Sequence, residues 1–180
     1  MFGIAGATLV AVVVAGIVFL FVAARPYRIP SSAMEPTLHC ARPAPGCEGG
    51  SQDRILVLKW IGFGRGDIVV FHTPPEAEVR CGAGGTFVKR LIGLPGEVVS
   101  ERDGYVYINS HQLDEPYLKP GRRDHEPPRT WPRIRAGHYF LLGDNRAQSC
   151  DSRVWGTVPR QNIVGKVAVL YWPPSRFGFR

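Results

Sequence analysis

The chain has 180 residues, 44% of them hydrophobic, with a formal net charge of +7 and an isoelectric point near 9.6. That length accommodates one membrane helix and one modest folded domain. The 22 basic residues outnumber the 15 acidic ones but are scattered, and all except Lys59, Lys89, Lys119 and Lys166 are arginine. No zinc-finger spacing, basic helix or stacking-aromatic pattern accompanies them, which excludes nucleic acid as a partner. A basic surface held beside anionic phospholipid is a sufficient account of the charge.

Residues 3–24 carry no charge and are rich in Val, Ala, Ile, Leu and Phe. At 1.5 Å per residue they span roughly 33 Å, enough to cross a hydrocarbon core of about 30 Å. The run is long for a cleaved secretory signal and has no preceding charge and no convincing Ala-x-Ala site, so it reads as a spanning anchor. Arg25 and Arg28 follow it, while its N-terminal flank has no Lys or Arg. The positive-inside rule alone would therefore keep the large domain in the cytoplasm. The cysteines argue the other way. Cys40 and Cys47 close a short Pro/Gly-rich loop suited to a disulfide, and Cys81 with Cys150 could form another; a free thiol at any of them is the alternative. The spacing C-x6-C is poor evidence for zinc.

Beyond the anchor, short β-like runs alternate with turns at 54–58, 67–71, 87–92, 98–101, 105–109, 139–142 and 165–171. Asp103-Gly104 is a hairpin signal between two of them. Sixteen prolines and 21 glycines argue against long soluble helices. The expectation is a mainly β domain with two long excursions, a Cys/Pro/Gly-rich one at 39–52 and a charged, proline-rich one at 119–135. The aromatic segments at 60–63, 171–172 and 177–179 are either core or a surface resting at a bilayer interface. His39, His72, His111, His125 and His138 have no ligand spacing, and no metal or cofactor is expected.

Lys89 lies in an apolar β-run, after Phe87-Val88 and before Arg90-Leu91-Ile92. Pointing inward, it would lose charge through desolvation and become usable as a base; pointing outward, it would be an ordinary strand lysine. Alternation does not choose between them. A buried lysine beside a hydroxyl is a Ser–Lys alternative to the Ser–His–Asp arrangement.

Three motifs bear on that choice: IPSSAMEPTL (29–38), VKRLIGLPGE (88–97) and GDNRAQSCDSRVWG (143–156). In this order they resemble the type I signal peptidases, and YVYINSHQLDEPYL (105–118) resembles the hairpin of that family's small subdomain. The resemblance implies an anchor at 1–25 and an extracytoplasmic domain at 26–180. That domain would be an antiparallel β-sheet or barrel carrying a small β subdomain at about 97–136. It implies a single-pass plasma-membrane endopeptidase that releases exported preproteins from their signal peptides after Ala-x-Ala-like sites. Its partners would be signal peptides, the phospholipid bilayer and, by contact, the secretion machinery. Lys89 would be the general base, Ser31 an oxyanion donor, Ser149 the group orienting the lysine, and Asp151 with Arg153 a structural ion pair.

The departure is at the centre. Where the family has its nucleophilic serine, immediately before the methionine, this chain has Ala33. On an extended chain, Ser32 would face the opposite side and could serve as a shifted nucleophile only if the backbone turned. Ser31 would share the side of residue 33, about 6 to 7 Å away along the strand, and could be recruited at the loss of one oxyanion donor; a water held by Lys89 is a third, much slower route. An inactive homologue that binds signal peptides or partner peptidases is the alternative. Ala147 and Gln148 replace an acidic residue and an asparagine usual in the last motif.

Overall fold

The computed structural model describes residues 23–180, so the anchor expected at 3–24 lies almost wholly outside the described residues. Among those described, no helix is long and apolar enough to cross a membrane. The first strand, β1 (Ala24–Arg28), continues directly from the apolar run and pairs antiparallel with β2 (Arg54–Leu58). In β2 the apolar residues alternate, Ile55 and Val57 being fully buried, as a strand with one covered face requires.

Next come β3 (Ile68–His72) and a short helix α1 (Pro75–Cys81), then β4 (Thr86–Gly93). The helix was not among the sequence expectations, although its signals are present: a proline at its first position and Gly82 in the left-handed conformation, φ 65°, at its C-terminal cap. Later strands are β5 (Val99–Arg102), β6 (Tyr105–Ile108), β7 (His111–Gln112), β8 (Arg129–Thr130) and β9 (His138–Leu142). A one-turn helix α2 (Ser152–Trp155) precedes β10 (Val158–Pro159), β11 (Ile163–Trp172) and β12 (Gly178–Phe179).

The described strands form an eight-stranded sheet of order β1-β2-β11-β3-β4-β9-β10, with β12 added to β11, and a four-stranded sheet of order β7-β6-β5-β8. Every pairing between these strands is antiparallel. Three strands separate β1 from β4, yet the turn just after β1 touches β4. The large sheet is therefore curled. Its concave face encloses one apolar cluster around Ile29, Met34, Ile55, Val70 and Leu170. A second cluster around Phe71, Leu91, Leu141 and Trp155 fills the opposite side, and a third, around Ile92, Val106 and Phe140, joins the large sheet to the small one. Gly93 sits in that junction, where a Cβ would come within 2.5 Å of Ile134 Cδ1 and 2.8 Å of Val99 Cγ2.

Candidate active site

The segment expected to run as an extended strand past residue 33 does not. Ser31 is extended, with φ −127° and ψ 157°, but Ser32–Met34 form a single 3-10 turn. With about three residues per turn, side-chain direction no longer alternates. Ser31 and Ala33 line one cleft of about 420 Å³, together with Tyr27, Ile29, Val88 and Lys89. Ser32 is directed elsewhere: its Oγ lies 2.8 Å from where a Cβ on Gly46 would stand.

The turn is held from both sides. Asn145 donates its backbone N–H to Ala33 O (3.1 Å) and its Nδ2 to Ser32 O (3.1 Å). Behind it lies the loop closed by the Cys40–Cys47 disulfide, pressed against Ser32 and Gln148 at Gly46. Glu35, fully buried, organises that loop by accepting from the N–H groups of Cys40 and Glu48, each at 3.0 Å, and by bonding His39. Glu35, His39 and Glu48 could gather three ligand atoms. Those atoms are already engaged, however, Glu48 being paired with Arg122.

Lys89 points inward. It is 3% exposed, opposite Val69 in the β3–β4 ladder, and its Nζ donates to Ser149 Oγ at 2.9 Å. Burial lowers its pKa from the ordinary 10.5 to about 8; Asp151 and Asp144 pull it back up, and Arg153 pushes it down. The amine is therefore partly neutral near physiological pH, which a base requires.

Ser149 is brought to Lys89 by the tight approach of Gly143. A Cβ there would lie 2.2 Å from Ser149 Oγ and 2.5 Å from Ala33 O. Cys150, next to Ser149, is bonded to Cys81 at the end of α1, and both cysteines line the cleft. Beneath, Asp151 caps α2 and accepts from Gly143 N–H (3.1 Å) and from Arg153 Nε (2.8 Å). Burial alone would raise the Asp151 pKa, but the adjoining Arg153 guanidinium holds it below the usual carboxylate range.

Several participants escaped the sequence reading. Arg90 forms a bidentate pair with buried Asp144 (2.8 and 2.5 Å), and Asp144 also accepts from Thr37 Oγ1 (2.6 Å). This pair stitches β4, the 143–151 loop and the segment after the turn together. Both residues lie inside recognised motifs, so their positions were legible and only their pairing was not. Glu101, at the end of the β-like run 98–101, Glu115, inside the motif at 105–118, and Asp124, in the charged excursion, are also buried and were not singled out.

A desolvated lysine bonded to a serine thus shares an open, mainly apolar cleft with Ser31 and Ala33. The family model described as signal peptidase, peptidase S26, matches residues 1–172. A signal peptidase I of Leptolyngbya laminosa is 41% identical over 167 residues, covering 88% of this chain and 73% of that protein. A probable signal peptidase I-2 of Synechocystis sp. is 38% identical over 180 residues, covering 96% and 74%. The crystal structure of a signal peptidase I from Enterococcus faecalis superposes with a TM-score of 0.50 at 34% identity, over 60% of this chain and 98% of that one. The chain belongs to the signal peptidase S26 family, a family of proteases.

Proposed function

We propose that this protein is a membrane-bound endopeptidase that removes signal peptides from exported preproteins, with Lys89 as general base and Ser31 as the hydroxyl it activates. The observation that carries this reading is the cleft itself. Lys89 is buried, bonded to Ser149 at 2.9 Å and depressed to about 8, and it shares the cleft with Ser31 while Ser32 faces Gly46. Alanine at 33 supplies no nucleophile, and Ser31, two residues away on the same cleft, supports the reading as the hydroxyl in its place.

A substrate would lie extended in the cleft, contributing strand-like hydrogen bonds, with small side chains fitting beside Ile29 and Val88. Ser31 Oγ bonds to the scissile carbonyl carbon as its proton passes to Lys89 Nζ. Backbone N–H groups at the start of the 3-10 turn, which have no intrahelical acceptor, receive the oxyanion. Lys89 then protonates the departing amine as the C–N bond breaks, and water releases the acyl group. Asp151 and Arg153 serve as the supporting ion pair.

The membrane part of the reading rests on the apolar segment at 3–24 and on the sheet that continues it. Phe179, Val169, Leu56 and Pro26 form one cross-strand row, and Trp172, Arg54 and Arg28 form another. Phe177 and Phe179 are 61% and 79% exposed. Aromatic and cationic side chains together suit an anionic bilayer interface. Two disulfides suit an extracytoplasmic location. The accompanying division is an anchor at 1–25 and a domain at 26–180, with a subdomain near 97–136.

The test uses purified full-length protein and a signal-peptide substrate. The wild type should cleave it, the Ser31→Ala and Lys89→Ala variants should lose turnover, and Ser32→Ala should retain it. Turnover by Ala33→Ser but none by the wild type would remove Ser31 as nucleophile and leave a peptide-binding homologue.

A further inference from the structure

The smaller sheet and the loop preceding β8 send two carboxylates beneath the site. Asp124 bonds Arg153 Nη1, and Glu101 Oε1, on β5, lies 3.8 Å from the same nitrogen. Glu101 and Asp124 are 3% and 8% exposed, and each leaves one oxygen without a hydrogen-bond partner among the described residues. Both carboxyl groups face the same guanidinium nitrogen, so each can serve as its outer partner. Burial and then Asp124 raise the pKa of Glu101 to about 7, while Arg153 and Arg146 oppose the rise.

Arg153 carries this anchoring to the cleft. Its Nη2 donates to the carbonyls of Arg146 (2.7 Å) and Ser149 (3.2 Å) and to Asp151 Oδ2 (2.9 Å). One guanidinium thus grips the loop that holds Ser149 against Lys89, and two carboxylates, one from β5 and one from the loop before β8, flank the guanidinium. The charged groups bearing on Lys89 are Asp151, Arg153 and Asp144; those bearing on Glu101 are Arg153, Asp124 and Arg146.

We propose that Asp124 and Glu101 act as one unit, positioning residues that fix Arg153 and through it the Ser149–Lys89 pair. The role assigned to that pair rests on Lys89 being the base. Because both carboxyls face the same guanidinium nitrogen, either alone suffices. With both neutralised, Arg153 keeps Asp151 as its charged partner but has no outer one, more of its positive charge bears on Lys89, and the Ser149 carbonyl loses a fixed donor. Lys89 then gives up its proton more readily but no longer meets Ser149 in register.

The experiment follows the titration of Lys89 by NMR in full-length protein carrying isotope-labelled lysine, the signal being assigned by its loss in Lys89→Met. Asp124→Asn and Glu101→Gln alone should leave the midpoint within about 0.2 pH units of wild type, and the double variant should lower it by about half a unit or more, a threefold change in the neutral fraction. A wild-type midpoint in the double variant, or an equal displacement in either single one, overturns the proposal. If the double variant does not fold, Asp124→Glu combined with Glu101→Gln must fold with a wild-type midpoint; any other result also overturns it. The midpoints require no turnover. If they behave as stated while neither wild type nor Ala33→Ser cleaves peptide, the endopeptidase reading fails and the clamp stands.

Discussion

Replacing Lys89 by methionine should make the protein more stable at neutral pH while abolishing any activity. The folded state lowers the lysine from 10.5 to about 8. At 1.36 kcal/mol per tenfold, keeping that amine charged in its buried site costs about 3 kcal/mol. Methionine fills nearly the same volume without a charge, and its sulfur tolerates the nearby Phe87 ring, over which the amine lies 5.8 Å from the centroid. Loss of the donor to Ser149 takes back about 1 kcal/mol, so a net gain of about 2 kcal/mol is expected at pH 7. The pH dependence supplies the control. A folded-state pKa below the unfolded one means that the native protein binds fewer protons between about 8 and 10.5, so wild-type stability climbs through that window. The advantage of Lys89→Met should be full below pH 8 and vanish towards pH 10.5. Urea unfolding of both proteins at pH 7 and pH 10 measures it. A methionine variant less stable at pH 7, or a difference that ignores pH, refutes the account of Lys89 as a desolvated amine.

Two other outcomes test the surroundings of the site. Gly143→Ala should cost about 2 kcal/mol or more and displace Ser149, because the new methyl would lie 2.2 Å from its Oγ and 2.5 Å from Ala33 O; thermal unfolding and the Lys89 titration read both effects. Phe177→Ser with Phe179→Ser should weaken adsorption of the folded domain to vesicles containing anionic lipid by about tenfold, on the order of 1.4 kcal/mol, while leaving its melting temperature nearly unchanged; cosedimentation measures the first and calorimetry the second.

Much of the fold was legible because its strands are short alternating runs between glycine and proline signals. The strands at 54–58 and the hairpin at Asp103-Gly104 depend on local chemistry and were read from it. Lys89 and Ser149 were legible through their motifs, although alternation alone left the direction of Lys89 open. The turn at Ser32–Met34 was not legible, since nothing in Ser-Ser-Ala-Met opposes an extended chain. Asn145, more than a hundred residues later, bonds both carbonyls that fold it. Glu101 and Asp124 were missed for a similar reason: a carboxylate reads as solvated until a distant arginine is brought under it. α1 was missed although Pro75 and Gly82 marked its ends, because seven residues are too few for a helical period to stand out.

The strand order has a consequence for when the site comes into being. β11 lies between β2 and β3, although it is the last long strand to be synthesised. Until it arrives, the wall bearing Ser31 and Ala33 belongs to the β1–β2 pair, and the wall bearing Lys89 belongs to β3 and β4, with no strand joining the two. A nascent chain ending before Ile163 therefore lacks the strand that joins the two half-sheets. Contacts this distant in sequence also form slowly. Joining the two walls into one sheet therefore waits for β11.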